Sequence, residues 1–326
     1  MGRKLSKGFL ENLKSGKYAP IVKAVKNDSE MEMFLRGSYV TVYYKTLQIL
    51  RIKPLGGPEV NGRYFGKSDE CLQIEIDENG NPKKYGTWEA YFRQAKVKLS
   101  EYGAQIKGEK KAQQRLVAAN RGDKSDYRII DVEYAHNSIL PKQNGRKDNK
   151  RFDALAVYVN QKNPDLFGLA LIELKVGNGA IDGASGVADH FETTLKFVRK
   201  LQDNLKKQIH PNFNDFIDDL NAVIDQMQQL GLISSRSKLP YGLKPEVIFA
   251  LAEYNFKSEK LLNEINGYGG KKGIWQIMAQ EKMCMPFDVW FTDFNLGKNG
   301  DYQIVRKNMI KLDEVEKFIR LEREKY

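Results

Sequence analysis

Residues 152–159 read FDALAVYV and residues 167–176 read FGLALIELKV. Both are short, nearly unbroken apolar runs, the pattern of strands covered on both faces. The polar stretch 160–165 between them suits a turn, so the two strands can pair as neighbours. The second run stays apolar until it closes on Glu173-Leu174-Lys175. Side chains alternate along a strand, so Glu173 and Lys175 share one face while Leu174 points to the other. Asp153 lies 20 residues before Glu173, just inside the first run. If the strands pair through the turn, Asp153 and Glu173 face each other across the ladder.

Outward from this pair, residues 127–135 (YRIIDVEYA) predict a preceding strand and residues 109–120 a helix before it. Residues 177–186 contain four glycines and lead into a long helix over 187–205, with another over 215–230. Residues 246–254 (EVIFALAEY) and 287–294 (FDVWFTDF) read as buried strands separated by a helix over 274–281, and a charged helix covers 313–324. The order helix, three strands, helix, strand predicts an α/β architecture with a sheet flanked by helices. The N-terminal part reads differently: helical stretches at 20–25 and 29–35, a strand or hairpin over 39–53, a short strand at 71–76, a turn at 77–82, and a helix beginning near Thr87. We therefore expect a basic α+β extension or subdomain over 1–105 and the α/β domain over 106–326.

Two carboxylates on adjacent strands repel each other unless a cation lies between them. Their oxygens suit a hard ion, Mg2+ or Mn2+, with positions left for water and phosphate. Such an ion polarises a scissile phosphate and helps generate hydroxide, and Lys175 would orient the water or stabilise the pentacovalent phosphorus. A lone acid-x-Lys triplet says little, since Glu109-Lys110-Lys111 and Asp148-Asn149-Lys150 also occur here. The signal is the assembly: an acid at the start of one apolar strand, E-x-K at the end of the next, then a glycine-rich exit and a helix.

On these residues the stretch 109–254 resembles the PD-(D/E)xK nuclease superfamily, with Phe152-Asp153 matching its first motif and Glu173-Leu174-Lys175 its second. Phe152 stands where the eponymous proline would be. The resemblance implies a restriction-endonuclease-like αβββαβ core, a mixed sheet flanked by helices, magnesium held by Asp153 and Glu173, and hydrolysis of phosphodiester bonds. Many members also carry a glutamate on the helix before the first strand, which Glu109 would match; a first-turn glutamate favoured by the helix dipole is the competing account. Glu133 is a further candidate ligand, with Asp131 alternating onto the same face. His190 opens the helix after E-x-K, where members often touch the substrate backbone.

Charge and composition narrow the partners. Fifty-three Lys and Arg against 42 Asp and Glu leave +11, and such a surplus captures polyanions. DNA is the expected partner, with Arg151 at the end of a basic loop (142–151) and the cluster Lys196, Arg199, Lys200, Lys206 and Lys207 as candidate phosphate contacts. A solvated helix face is the ordinary reading of that cluster. A homodimer is compatible with this. Two cysteines and three scattered histidines do not make a structural zinc site. The absence of an 18-residue apolar run, of a signal-peptide pattern and of many cysteines points to a cytoplasmic protein. Gly2 and Ser6 fit a myristoylation pattern too short to carry weight. Residues 267–273 (GYGGKKG) lack the Ser/Thr of a phosphate loop, which disfavours nucleotide hydrolysis. Two other readings stand beside the nuclease: a non-catalytic nucleic-acid-binding protein on the same fold, and an interaction protein whose E-x-K is incidental.

Overall fold

The structure is a computed structural model describing residues 3–45, 47–62, 71–103, 108–121, 125–135, 151–160, 163–281, 284–294 and 302–324. Its fold is mixed α/β with two sheets, and it divides into two compact units, 1–118 with 218–238, and 119–217 with 239–326. Residues 108–118 and 218–238 therefore group with the N-terminal part, beyond the division at residue 105 that the sequence suggests. No helix of the described residues is long and apolar enough to cross a membrane.

The first unit begins with helices α1 (Lys7–Lys14) and α2 (Ala19–Asn27), the first N-capped by Ser6. Five antiparallel strands follow in spatial order: β1 (Met31–Leu35), β2 (Val40–Tyr44), β3 (Leu47–Lys53), β4 (Gly57–Asn61) and β5 (Cys71–Gln73). The expected strand or hairpin over 39–53 is the β2–β3 hairpin. The helical reading of 29–35 is overturned, because Met31–Leu35 pairs residue for residue with Val40–Tyr44. Met, Glu and Leu all suit helices, so the local propensity was helical; pairing with a β-branched neighbour overrides it. Helix α3 (Trp88–Gly103) packs Trp88, Tyr91, Phe92, Ala95 and Leu99 into the core, all at 1% exposure or less. The Tyr91 hydroxyl donates to the Ile49 carbonyl of β3 at 2.8 Å, and the Trp88 indole to Gly80 at 2.7 Å. Gly80 needs to be glycine twice over: its φ is +78°, and a Cβ would lie 2.0 Å from the Lys17 carbonyl oxygen. Helix α4 (Glu109–Ala119) closes this stretch.

The second unit is built on a six-stranded mixed sheet. Strands β6 (Arg128–Ala135), β7 (Arg151–Asn160) and β8 (Asn163–Val176) form an antiparallel meander. Helix α5 (Val187–Lys206) follows, then α6 (Phe213–Gln229), whose residues from 218 onward group with the first unit, and the chain returns through β9 (Glu246–Ala252), parallel to β8. Then come α7 (Lys260–Asn266), α8 (Ile274–Ala279), β10 (Asp288–Asp293) parallel to β9, the short antiparallel β11 (Ile310–Lys311), and α9 (Val315–Glu324). The spatial order is β11-β10-β9-β8-β7-β6. β9 is buried at every residue and β8 from Phe167 to Lys175, as expected of strands covered on both faces. Phe152, Phe197 and Phe216 form an aromatic chain with centroid separations of 5.6 and 5.9 Å, fastening α5 and the first residues of α6 to β7.

The start of β9 is fixed by a polar knot. Glu246, 3% exposed, accepts the Tyr127 hydroxyl at 2.7 Å and an Arg306 guanidinium N–H. Burial, then the Glu246 charge, raises the Tyr127 phenol above its ordinary value, so its O–H remains a donor.

Candidate active site

The site forms where β8 parts from β7. The β7–β8 ladder runs to Ala154↔Ile172 and stops, whereas β8 continues against β9 through Val176↔Ala252. One further step of the β7–β8 register would set Asp153 opposite Glu173. Instead, the Asp153 carboxylate fills the opening and accepts the Leu174 backbone N–H at 2.7 Å. A side-chain oxygen here takes the place of a ladder carbonyl. This bond ties the first acid to the E-x-K segment itself.

On β8, Glu173 is 1% and Lys175 5% exposed. The expected sharing of one face holds in the pairing, since Glu173 stands beside Phe249 and Lys175 beside Leu251 in one alternation. A carboxylate so deeply buried requires a positive or hydrogen-bonding partner. His190, on the first turn of α5, supplies one: its Nδ1 lies 2.9 Å from Glu173 Oε2. The Lys175 ammonium donates to the Ser185 carbonyl at 2.8 Å, just before α5 begins. One compact unit thus supplies all four: Glu173 of β8 and His190 of α5 touch directly, while Asp153 of β7 bonds the backbone of the E-x-K segment and Lys175 bonds the backbone just before α5. His190 is placed beside the carboxylate rather than out on the helix surface, a contact that spacing alone did not reveal.

The flanking backbone is strained at this end of the sheet. Glu133 has φ +50° and Glu253, directly after β9, has φ +56°. For non-glycine residues this conformation costs about 1–3 kcal/mol, and such residues cluster at functional sites. Register places Glu133 opposite Asp153, between the pairs Val132↔Ala154 and Tyr134↔Phe152. Its carboxylate forms an ion pair with Arg151 at 2.7 Å. Asp131 is buried, with its carboxylate accepting the adjacent Val132 N–H.

The remaining sequence candidates are distributed as follows. Glu109 is exposed at the start of α4 in the first unit, while Asp153, Glu173 and Lys175 all belong to the second. Lys196 pairs with Glu192 one turn away at 2.8 Å. Arg199, 17% exposed, donates to Glu281 at 3.0 Å and to the Cys284 carbonyl at 2.7 Å, so its donors serve the fold. Residues 136–150, which include most of the basic loop and His136, lie outside the described residues.

Among the described residues, no group of three or more His, Cys, Asp or Glu side chains is assembled as a metal centre. The carboxylate oxygens of Asp153 and Glu173 are hard donors, of the kind that suits Mg2+ or Mn2+ with water and substrate oxygens as further ligands. Asp153 is half-buried and Glu173 is buried. Searches with this chain find no matching family model, no matching curated protein and no matching solved structure.

Proposed function

We propose that the protein is a metal-dependent nuclease hydrolysing phosphodiester bonds in DNA, on a core like that of the restriction endonucleases. The observation that carries this reading is the parting of β7 and β8, with Asp153 turned onto Leu174 N–H beside Glu173 and Lys175. Asp153 and Glu173 would hold the cation. A cation held there would supply Lewis-acid polarisation of the phosphate and a lowered pKa for the attacking water.

The side chains have separate tasks. Lys175 presents a positive charge where negative charge gathers on the phosphate in the transition state. His190 holds the Glu173 carboxylate in one orientation through its Nδ1 contact. The general electrostatic attraction comes from elsewhere: the first unit carries 24 Lys and Arg against 16 Asp and Glu, eight of the eleven surplus charges. The test is incubation with plasmid and linear DNA, with and without Mg2+ or Mn2+. Cleavage by the native protein in metal, absent in EDTA and absent for Asp153→Ala, supports the reading. Metal-independent cleavage, or equal cleavage by Asp153→Ala, refutes it.

A further inference from the structure

Helix α5 carries His190 on its first turn, yet it lacks a cap of its own. Its N-cap residue is Gly186, which has no side chain to bond the free N–H groups of that turn. The missing acceptor comes from α7. Glu264, 3% exposed, accepts the Ala188 N–H at 2.8 Å through Oε2. Its other oxygen takes the Lys271 ammonium at 2.6 Å, and the same ammonium donates to the Gly183 carbonyl at 3.0 Å. A Cβ at Gly186 would lie 2.7 Å from Glu264 Oε2, so glycine is what lets the carboxylate approach. Beside these contacts, Lys260 pairs with Asp182 at 2.9 Å. The segment that leaves Lys175 and enters α5 is therefore clasped from α7 and the turn after it.

Both ends of this segment touch the candidate site. Ser185 accepts Lys175 Nζ, and His190 contacts Glu173. Ala188 lies between them. We propose that Glu264, locked by Lys271, is a positioning residue: it fixes the first turn of α5 and through it the geometry of His190 and Lys175. This deepens the nuclease reading and rests on it for the catalytic consequence, but the positional consequence stands on the contacts alone. It also gives a role to residues 267–273, whose glycines and lysines resembled a failed phosphate loop. Gly269 and Gly270, at φ +60° and +80°, make the tight turn that brings Lys271 back towards Glu264.

The test uses the whole protein in three forms: native, Glu264→Gln, which keeps an oxygen acceptor for Ala188, and Glu264→Ala, which does not. The chain has only three histidines, so His190 can be followed by its imidazole nitrogen resonances, and Ala188 by amide hydrogen exchange. In Glu264→Ala we expect Ala188 exchange at least about tenfold faster, because a first-turn amide has no helical acceptor to replace the carboxylate. The His190 resonances should move while those of His210 stay. Glu264→Gln should restore both signals most of the way. In DNA cleavage, Glu264→Ala should lower kcat with KM within about twofold, and Glu264→Gln should recover most of it. Unchanged His190 resonances in Glu264→Ala would overturn the positioning role, as would equal losses in the Gln and Ala variants. If no form cleaves DNA, the nuclease reading fails, while the resonance and exchange data still decide the positioning.

Discussion

At the residue scale, the roles assigned to Lys175 and Asp153 make different predictions. Lys175 is one positive charge among 53, so its removal subtracts little from binding by many phosphate contacts. Its value lies in the transition state, where loss of one well-placed donor costs on the order of 100- to 1,000-fold in rate. Lys175→Ala should therefore show cleavage reduced by at least that factor, with DNA affinity within a few-fold of native by equilibrium binding. Affinity falling in step with rate would make Lys175 a binding residue. Arg199 gives the opposite case. Its guanidinium is committed to Glu281 and Cys284, so Arg199→Ala should lower the urea midpoint and leave the salt dependence of DNA binding unchanged. A reduced salt slope with intact stability would return Arg199 to the interface.

At the scale of elements, the long β8 and its pairing with β7 decide the site, and their packing offers a direct check. Gly168 faces Tyr158 across the β7–β8 pair, and a Cβ there would lie 2.1 Å from the Tyr158 ring. Gly168→Ala should destabilise the second unit by about 1–3 kcal/mol through overpacking, read as a lower urea midpoint. An unchanged midpoint would mean the ring moves aside at no cost. The strands around the site were legible in the sequence because their apolar runs are continuous and end sharply at Asp153 and Glu173. The β1 segment was not, since Met31–Leu35 has helical propensity and becomes a strand only by pairing with β2. Three contacts of the site were also out of reach. His190 with Glu173, Lys175 with Ser185, and Glu264 with Ala188 all depend on how the chain folds after Gly177, and neither composition nor period encodes that path. The Asp153 bond to Leu174 was hidden for another reason: alternation predicts faces, not the place where a ladder opens.

For the whole molecule, net charge and site location separate. The second unit holds the candidate site but only three of the eleven surplus charges. Lys14, Lys23 and Lys26 of the first unit line one cleft that has no acidic residue in its wall among the described residues. If the surplus serves DNA, the logarithm of affinity should fall by roughly 0.9 per phosphate contact for each tenfold rise in salt. Replacing those three lysines by alanine should make that slope shallower in an Asp153→Ala background, where the substrate stays intact. A flat salt dependence of the parent would remove nucleic acid as the partner and favour an interaction protein.

Nuclease chemistry at this site requires one cation between two particular carboxylates, out of 42 Asp and Glu in the chain. Asp153 and Glu173 differ from an exposed pair because Glu173 is buried at a strand end, and Asp153 is tied to the neighbouring backbone. Manganese soaked into crystals of the intact protein, located by its anomalous scattering, tests this directly. We predict one dominant peak within about 2–2.5 Å of carboxylate oxygens from both residues, lost in Asp153→Ala crystals. A map without density between Asp153 and Glu173, at manganese concentrations that fill other carboxylate pairs, would contradict the account.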